Sequence, residues 1–272
     1  MTDTADPQPR ETPEEQLVRA FFKQIGLDSK KVPEAPADGE RRCDIRAWAE
    51  HELHWIEVKS RMDDDALHDE LVSKEVVMRE RPMGYAGRVA EIFDDAVKQL
   101  DTLAAKEDGF EIVWLFVRSN PADAEIHFDQ AIATAFGTED ILDLGAGDAK
   151  LRPCYFFSES AFFKHKQLDA AVIFGLDFRF VLCVNPHARR AERFRETKFF
   201  GYFRTLAEKD VVRSIIDPAQ EEKVGHGYIA DCSISRAQKE DVLAYVQKKY
   251  GLKNPRNIVM VQHAGYSVVP RR

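Results

Sequence analysis

The sequence is poor in cysteine and has no long apolar run. Its 272 residues include four cysteines, none in a Cys-x-x-Cys pair, which excludes a clustered thiolate zinc site and favours reduced, mostly buried thiols. No apolar stretch approaches the roughly 18 residues that cross a membrane. The first residues are polar and rich in proline, so the sequence predicts no signal peptide and a cytoplasmic protein.

An excess of positive charge is also missing, since the formal net charge is −8. Proteins that coat nucleic acid without sequence preference need basic surfaces to neutralise phosphates, so this class is disfavoured. Clustered carboxylates that hold a metal also make a chain acidic, so an enzyme acting on nucleic acid stays open. The 44% of hydrophobic and 32% of charged residues are typical of a globular protein of one large or two small domains.

The first half of the chain alternates between helical and strand patterns. Thr12-Pro13-Glu14-Glu15 predicts a helix start, with a threonine cap, a proline in the first turn and a glutamate completing a capping box. The apolar face of this helix is predicted from helical spacing and consists of Leu17, Val18, Phe21, Phe22 and Ile25. The elements predicted after it are strands over 43–48 and 54–60, a helix over 88–107, a strand over 110–117 and a helix over 122–136.

The order helix, strand, strand, helix, strand predicts an α/β fold with a mixed central sheet flanked by helices. We expect a disordered lead-in over 1–11, a core domain over 12–137, and a boundary within the glycine-rich, acidic stretch 138–150. A C-terminal α+β region over 151–272 is expected to recognise substrate or to form a homodimer. Its predicted elements are strands near 153–157, 170–174, 178–184 and 258–262, and helices near 189–208 and 236–250.

The strand over 54–60 carries the residues that indicate chemistry. Side chains alternate across a strand, so Glu57 and Lys59 share one face, and burying them is costly unless they meet each other, a metal or a substrate. Asp44 begins the preceding strand, and a hairpin would bring it beside Glu57. Two converging carboxylates, with the backbone carbonyl of Val58, predict a Mg²⁺ or Mn²⁺ site beside which Lys59 orients a water.

Asp44 followed by Glu57-Val58-Lys59 resembles the motif of the PD-(D/E)XK nuclease superfamily, and the resemblance covers roughly residues 12–120. It implies a restriction-endonuclease-like core and a metal-dependent nuclease acting on nucleic acid, with DNA expected. Many members place a further acid on the first helix, and Glu14 matches that position as a supporting metal ligand. Some members use a glutamine on the second core helix, for which Gln99 is the candidate. Cys43 stands where the family has proline.

A second interpretation is an S-adenosylmethionine-dependent methyltransferase. The stretch Ile141–Gly147 resembles the glycine-rich cofactor loop of that class, and Leu182–His187 is similar to its Asn-Pro-Pro-aromatic motif. Only 38 residues separate Gly147 from Asn185, too few for the intervening strand–helix units, and Pro153 would interrupt the helix expected after the loop.

A third interpretation is a nucleic-acid-binding protein without catalysis. The stretch 187–204 is locally basic, and aromatic residues are interleaved with its cations. We expect the aromatics to be core and the cations to face phosphates. The candidate phosphate-binding residues are Arg189, Arg190, Arg193, Arg195 and Lys198.

Overall fold

The structure is a computed structural model, and it describes residues 11–33, 42–61, 76–104, 107–119, 123–145, 149–176, 178–209, 214–259 and 261–267. The lead-in expected over 1–11 lies outside these residues except for Glu11. The helices are α1 (Pro13–Gln24), α2 (Gly87–Ala104), α3 (Ala124–Phe136), α4 (Ala161–Lys164), α5 (Ala191–Arg195), α6 (Lys198–Glu208), α7 (Pro218–Lys223) and α8 (Lys239–Tyr250).

The strands of the described residues form three sheets. They are β1 (Asp28–Lys31), β2 (Ile45–Ala49), β3 (Glu52–Arg61), β4 (Val76–Pro82), β5 (Phe110–Val117), β6 (Glu139–Asp143), β7 (Lys150–Tyr155), β8 (Ala170–Phe174), β9 (Phe180–Val184), β10 (Ile215–Ile216), β11 (Tyr228–Ile229), β12 (Pro255–Ile258) and β13 (Val261–Ser267).

The large sheet has seven strands in the order β1-β2-β3-β5-β8-β9-β10. Its first three strands pair antiparallel, whereas β3, β5 and β8 run parallel to one another. The chain therefore has a mixed α/β fold with a large mixed sheet flanked by helices, as the sequence predicted. This architecture is compatible with a restriction-endonuclease-like core.

Helices cover both faces of the large sheet. One core holds Val97 and Leu100 of α2 against Val113 and Leu115 of β5. On the other face, α1 and α6 pack against the alternate residues of β5, such as Trp114. Every residue of β5 is buried, which explains why its sequence is apolar except for Glu111, since a strand covered on both faces does not alternate.

The smaller sheet has four strands in the order β11-β7-β6-β12. Strand β6 lies inside the stretch 138–150, where we expected a loop and a domain boundary. Strands β8, β9 and β10 lie beyond that stretch and complete the large sheet. The large sheet therefore takes strands from both sides of the expected boundary, whereas the smaller sheet takes its strands from the boundary stretch and from the chain after it. Among the described residues, no helix combines the length and apolarity that crossing a bilayer requires.

Three local expectations change in the structure. Thr12 and Glu15 form the predicted capping box of α1, but Leu17, placed on its apolar face, is 41% exposed. The helix expected over 189–208 is interrupted, because the Thr197 side chain accepts the backbone N–H of Phe200 and caps a new helix, α6. The polar stretch Asp28–Lys31, expected to be a loop, is the edge strand β1.

Gly137 joins α3 to β6 in a conformation that only glycine tolerates well. Its φ is 61°, and a Cβ here would overlap the carbonyl oxygens of Ser158 and Glu159. We expect Gly137→Ala to destabilise the protein by about 2 kcal/mol more than Gly225→Ala, by urea unfolding. Gly225 is the matched control, since it has a similar φ of 73° but no atom within 4 Å of the point that a Cβ would occupy. Equal losses would contradict the packing argument.

Candidate active site

The pairing of β2 with β3 brings Asp44 and Glu57 face to face. Ile45 lies opposite Ile56 at the end of this pairing and Asp44 precedes it, so the Asp44 carboxyl comes within hydrogen-bonding reach of the Glu57 carboxyl. The Asp44 backbone N–H donates to the Ile56 carbonyl at 3.1 Å. The Val58 backbone N–H donates to Oδ2 of Asp44 at 2.8 Å, which fixes the carboxylate against β3.

The Glu57 side chain is buried, with only 1% of its surface exposed. The ammonium of Lys59 lies 2.6 Å from its Oε1. Its other oxygen, Oε2, is buried and receives no hydrogen bond from the described residues, although the Asp44 carboxyl lies within hydrogen-bonding reach. Two ionised carboxylates that face each other repel and have no hydrogen-bond donor between them. A shared proton or a bound cation would therefore stabilise this pair.

The electrostatics of the pair reflect that need. Burial, reinforced by the neighbouring charge of Asp44, raises the pKa of Glu57 to about 8. Burial also raises the pKa of Asp44, against the opposing effect of its hydrogen bond from Val58. Without a cation, the pair therefore retains a proton at neutral pH, and a divalent ion would displace it.

A cavity of about 380 Å³ opens onto the pair. The orphaned Oε2 of Glu57 and the hard oxygen donors of both carboxylates fit Mg²⁺ or Mn²⁺, ions that keep several waters. Among the described residues, no group of three or more His, Cys, Asp or Glu side chains is arranged to hold a metal ion. The candidate site is thus a two-carboxylate site, and the Val58 carbonyl stays a predicted third ligand.

Glu14 lines this cavity but is bound elsewhere. Its carboxylate pairs with the guanidinium of Arg118 and accepts a long hydrogen bond of 3.5 Å from Ser60. The neighbouring Glu15 also lines the cavity, caps α1, and accepts the ammonium of Lys31 at 2.9 Å. The proposed support of a metal by Glu14 therefore requires that it leave Arg118.

The sequence did not predict two cations near this site, Lys31 and Arg118, and it indicated Gln99 only through the family resemblance. Lys31 is nearly buried on β1 and attracts Asp44, while Arg118 follows β5 and holds Glu14. Gln99 of α2 lines the same cavity, as the resemblance implied it should. The signal for Lys31 was weak, because Asp28–Lys31 carries no apolar residue that would mark a strand.

Comparison with known proteins assigns neither a family nor a function to this chain. No protein-family model matches the chain, and no curated protein matches it. Among solved structures, the chain is similar to Archaeoglobus fulgidus Hjc, a Holliday junction resolvase from an archaeal hyperthermophile. The likeness covers 39% of this chain and 67% of that chain, at 19% identity and a TM-score of 0.25. A likeness this weak supports no assignment, so the site is judged on its own side chains.

The methyltransferase interpretation is not favoured by the structure. Strand β6, which precedes the glycines, pairs antiparallel with β7 and β12, whereas the cofactor loop of that class follows a strand of a parallel sheet. The Asn185 side-chain amide donates to three backbone carbonyls, and its Oδ1 accepts the N–H of His187. Asn185 is therefore fully used in holding its own loop. Gly147 lies outside the described residues.

The basic stretch is more structural than expected. Arg190 donates to Asp169 at 2.7 Å and to Glu111 at 3.2 Å. Arg195 makes a two-pronged contact with Asp217, at 2.7 and 2.9 Å. Both guanidiniums are thus bound to carboxylates of this chain, which corrects their expected orientation towards phosphates.

The other three candidate phosphate-binding residues of the stretch are more exposed. Arg193 is 54% exposed and pairs with Asp108 at 2.9 Å, and the Lys198 ammonium donates to the Gly26 carbonyl at 3.0 Å. Arg189 is exposed, and the structure shows no ion pair for it among the described residues. Glu111, a partner of Arg190, lies near the start of β5, opposite Trp55 of β3. Trp55 lies two residues before Glu57. A phosphate-binding role for these three stays a prediction.

The ion pairs of Arg190 generate a stability prediction. Asp169 is fully buried and Glu111 nearly so, and Arg190→Ala would leave both carboxylates without their cation. We expect a loss of about 3 kcal/mol in the free energy of unfolding, measured with urea. Arg189→Ala, at the exposed neighbour, should change it by less than about 0.5 kcal/mol. Indistinguishable variants would show that the Arg190 network is not structural.

The raised pKa of Glu57 predicts how stability varies with pH. The folded protein keeps a proton on Glu57 up to about pH 8, whereas the unfolded chain releases it near the ordinary value of 4.5. Without divalent ions, this group therefore makes stability fall as pH rises from about 5 to 8, by up to about 1.4 kcal/mol per pH unit.

Glu57→Gln cannot titrate, so its unfolding free energy should vary less steeply with pH than that of the wild type. Urea unfolding in EDTA across this range measures the difference. Glu111, whose pKa burial raises to about 7, contributes equally to both proteins. The control is Glu208→Gln, which is exposed. If the Glu57 variant and the wild type have the same slope, Glu57 does not hold the proton.

Proposed function

We propose that the protein is a divalent-metal-dependent nuclease that hydrolyses phosphodiester bonds, with DNA as its substrate. The observation that carries the proposal is the buried Glu57 carboxyl beside the half-buried Asp44 carboxyl, in which Oε2 of Glu57 has no donor among the described residues and Lys59 touches the other oxygen. Such an arrangement is costly to the fold, and a divalent cation at this position would compensate it.

Asp44 and Glu57 would hold the metal, with the Val58 carbonyl as a further ligand. A bound Mg²⁺ or Mn²⁺ supplies Lewis-acid stabilisation of the phosphate and lowers the pKa of a coordinated water. Asp44 is already oriented by the Val58 N–H, so its carboxylate loses little freedom on binding. Glu57 must lose its proton first, which couples metal affinity to pH.

Lys59 is the catalytic residue of this proposal. Its ammonium lies beside Glu57 and is 24% exposed, so it reaches both the carboxylate pair and the cavity. From there it orients the attacking water and stabilises negative charge on the phosphate oxygens. Gln99 lines the same cavity and would hydrogen-bond that water.

The cavity chemistry also favours a phosphodiester substrate. Arg118 is 47% exposed at the end of β5, and its pairing with Glu14 places it at the margin of the cavity. If Glu14 turns towards the metal, the Arg118 guanidinium is released to a substrate phosphate, which it matches in geometry. Opening the ion pair of Glu14 and Arg118 would thus give the metal a supporting carboxylate and the substrate phosphate a guanidinium.

The test combines metal binding with cleavage. We expect Mn²⁺ to bind the wild type in calorimetry, and binding to strengthen as pH rises through about 8. Glu57→Gln and Asp44→Asn should abolish it. Labelled single-stranded, duplex and branched DNA should be cleaved with Mg²⁺ or Mn²⁺ but not in EDTA.

Lys59→Ala should reduce cleavage by at least about 100-fold while the variant still folds and still binds Mn²⁺. Lys209→Ala is the matched control, because this lysine is exposed at the end of α6. Cleavage that persists in Lys59→Ala at the wild-type rate would point to a contaminating nuclease and would refute the assignment.

A further inference from the structure

A second cavity, of about 640 Å³, lies between the two larger sheets and has the size of small-molecule sites. Strands β6 and β7 contribute to one side of it, β9 and β10 to another, and α3 forms a wall. Its lining is mostly apolar and aromatic and includes Phe128, Ile132, Tyr155, Phe180 and Ile216. None of these residues takes part in the candidate active site.

Two carboxylates in this cavity have no hydrogen-bond donor among the described residues. Asp129 projects from α3 and Asp140 from β6, and both are half-buried. Burial raises the pKa of each. Glu139 lines the same cavity but is satisfied, since it accepts Lys239 at 2.6 Å and Asn257 at 2.5 Å. The contrast identifies Asp129 and Asp140 as acceptors that a ligand would satisfy.

The cavity also offers a flat platform. The guanidinium of Arg179 lies over the Phe128 ring, 4.4 Å from its centroid, and both residues line the cavity. Planar groups of this kind favour a ligand with an aromatic body.

The balance of charge decides which aromatic ligand fits. Three carboxylates and two cations line the cavity, and the Lys239 cation is already bound to Glu139. Arg179 attracts Asp129 but leaves Asp140 without a neighbouring cation that affects its pKa. An anion would meet this excess of carboxylates, whereas a cation with N–H donors would complement it.

We propose that this cavity binds a small organic cation with a planar aromatic body, whose N–H groups donate to Asp129 and Asp140. An amidinium or guanidinium is the best match, because its planar fork of N–H groups suits carboxylates. This site is separate from the nuclease proposal and does not depend on it.

Helix α3 links the cavity to the end of the sheet near the candidate active site. His127 and Gln130 flank Phe128 and Asp129 on this helix. The His127 ring contacts the Ser119 hydroxyl at 2.5 Å, and the Gln130 amide oxygen accepts Arg61 at 3.3 Å. Arg61 lies two residues after Lys59 on β3.

A ligand that contacts Phe128 and Asp129 is expected to stabilise α3 against local opening. It should therefore slow amide exchange along Ala124–Phe136.

Benzamidine is the probe, and benzoate, its anionic counterpart of the same shape, is the matched comparison. Each is titrated by calorimetry into the full chain without metal or nucleic acid, so the result is independent of nuclease activity. We expect benzamidine to bind with a Kd of about 1 mM or tighter, and benzoate at least about tenfold more weakly. Binding should also slow hydrogen exchange in α3.

Asp129→Asn and Asp140→Asn should each weaken benzamidine binding by about tenfold. Glu125→Gln is the control on the same helix, since Glu125 is exposed and does not line the cavity, and it should bind as the wild type does. The proposal is overturned if benzamidine does not bind, if benzoate binds equally well, or if either Asn variant retains full affinity. The comparison of the two probes on the wild type holds even if a variant fails to fold.

Discussion

Two carboxylates meet across neighbouring strands with too few donors to satisfy them, and the rest of the site is arranged around that conflict. Asp44 gains the Val58 N–H, and Glu57 gains the Lys59 ammonium, yet Oε2 of Glu57 has no donor in the part of the chain that the structure describes. In a protein selected for stability alone, an apolar pair at this register would be better. These two carboxylates are the basis of the proposed cation site.

The large sheet holds this conflict in place. Strand β3 pairs antiparallel with β2 over five residues and parallel with β5 over eight, so Glu57 is held opposite Val113 of β5 and its neighbour Ile56 opposite Ile45 of β2. Lys31 and Glu15 add a nearly buried ion pair beside Asp44. A rigid framework keeps the acids close even while they repel each other, which is the condition for a preorganised metal site.

The part of the site that was predictable from sequence depends on local periodicity. Strand alternation placed Glu57 and Lys59 on one face, and a hairpin sufficed to bring Asp44 opposite Glu57. Pairings between distant segments were not predictable: the partners of Arg190 lie 21 and 79 residues away, so cations that look free in the sequence are bound in the fold. Strand β1 was missed because its pairing with β2, rather than any apolar pattern, makes it a strand.

The proposed nuclease site requires that Asp44 and Glu57 share one divalent ion. Crystals grown above pH 8 and soaked in Mn²⁺ test it most directly, because manganese gives an anomalous diffraction signal and Glu57, whose pKa is about 8, is then deprotonated. We expect one anomalous peak within coordination distance, about 2.2 Å, of an oxygen from each carboxylate, and no such peak in Glu57→Gln crystals. Well-ordered carboxylates with no anomalous peak between them at saturating Mn²⁺ would contradict it.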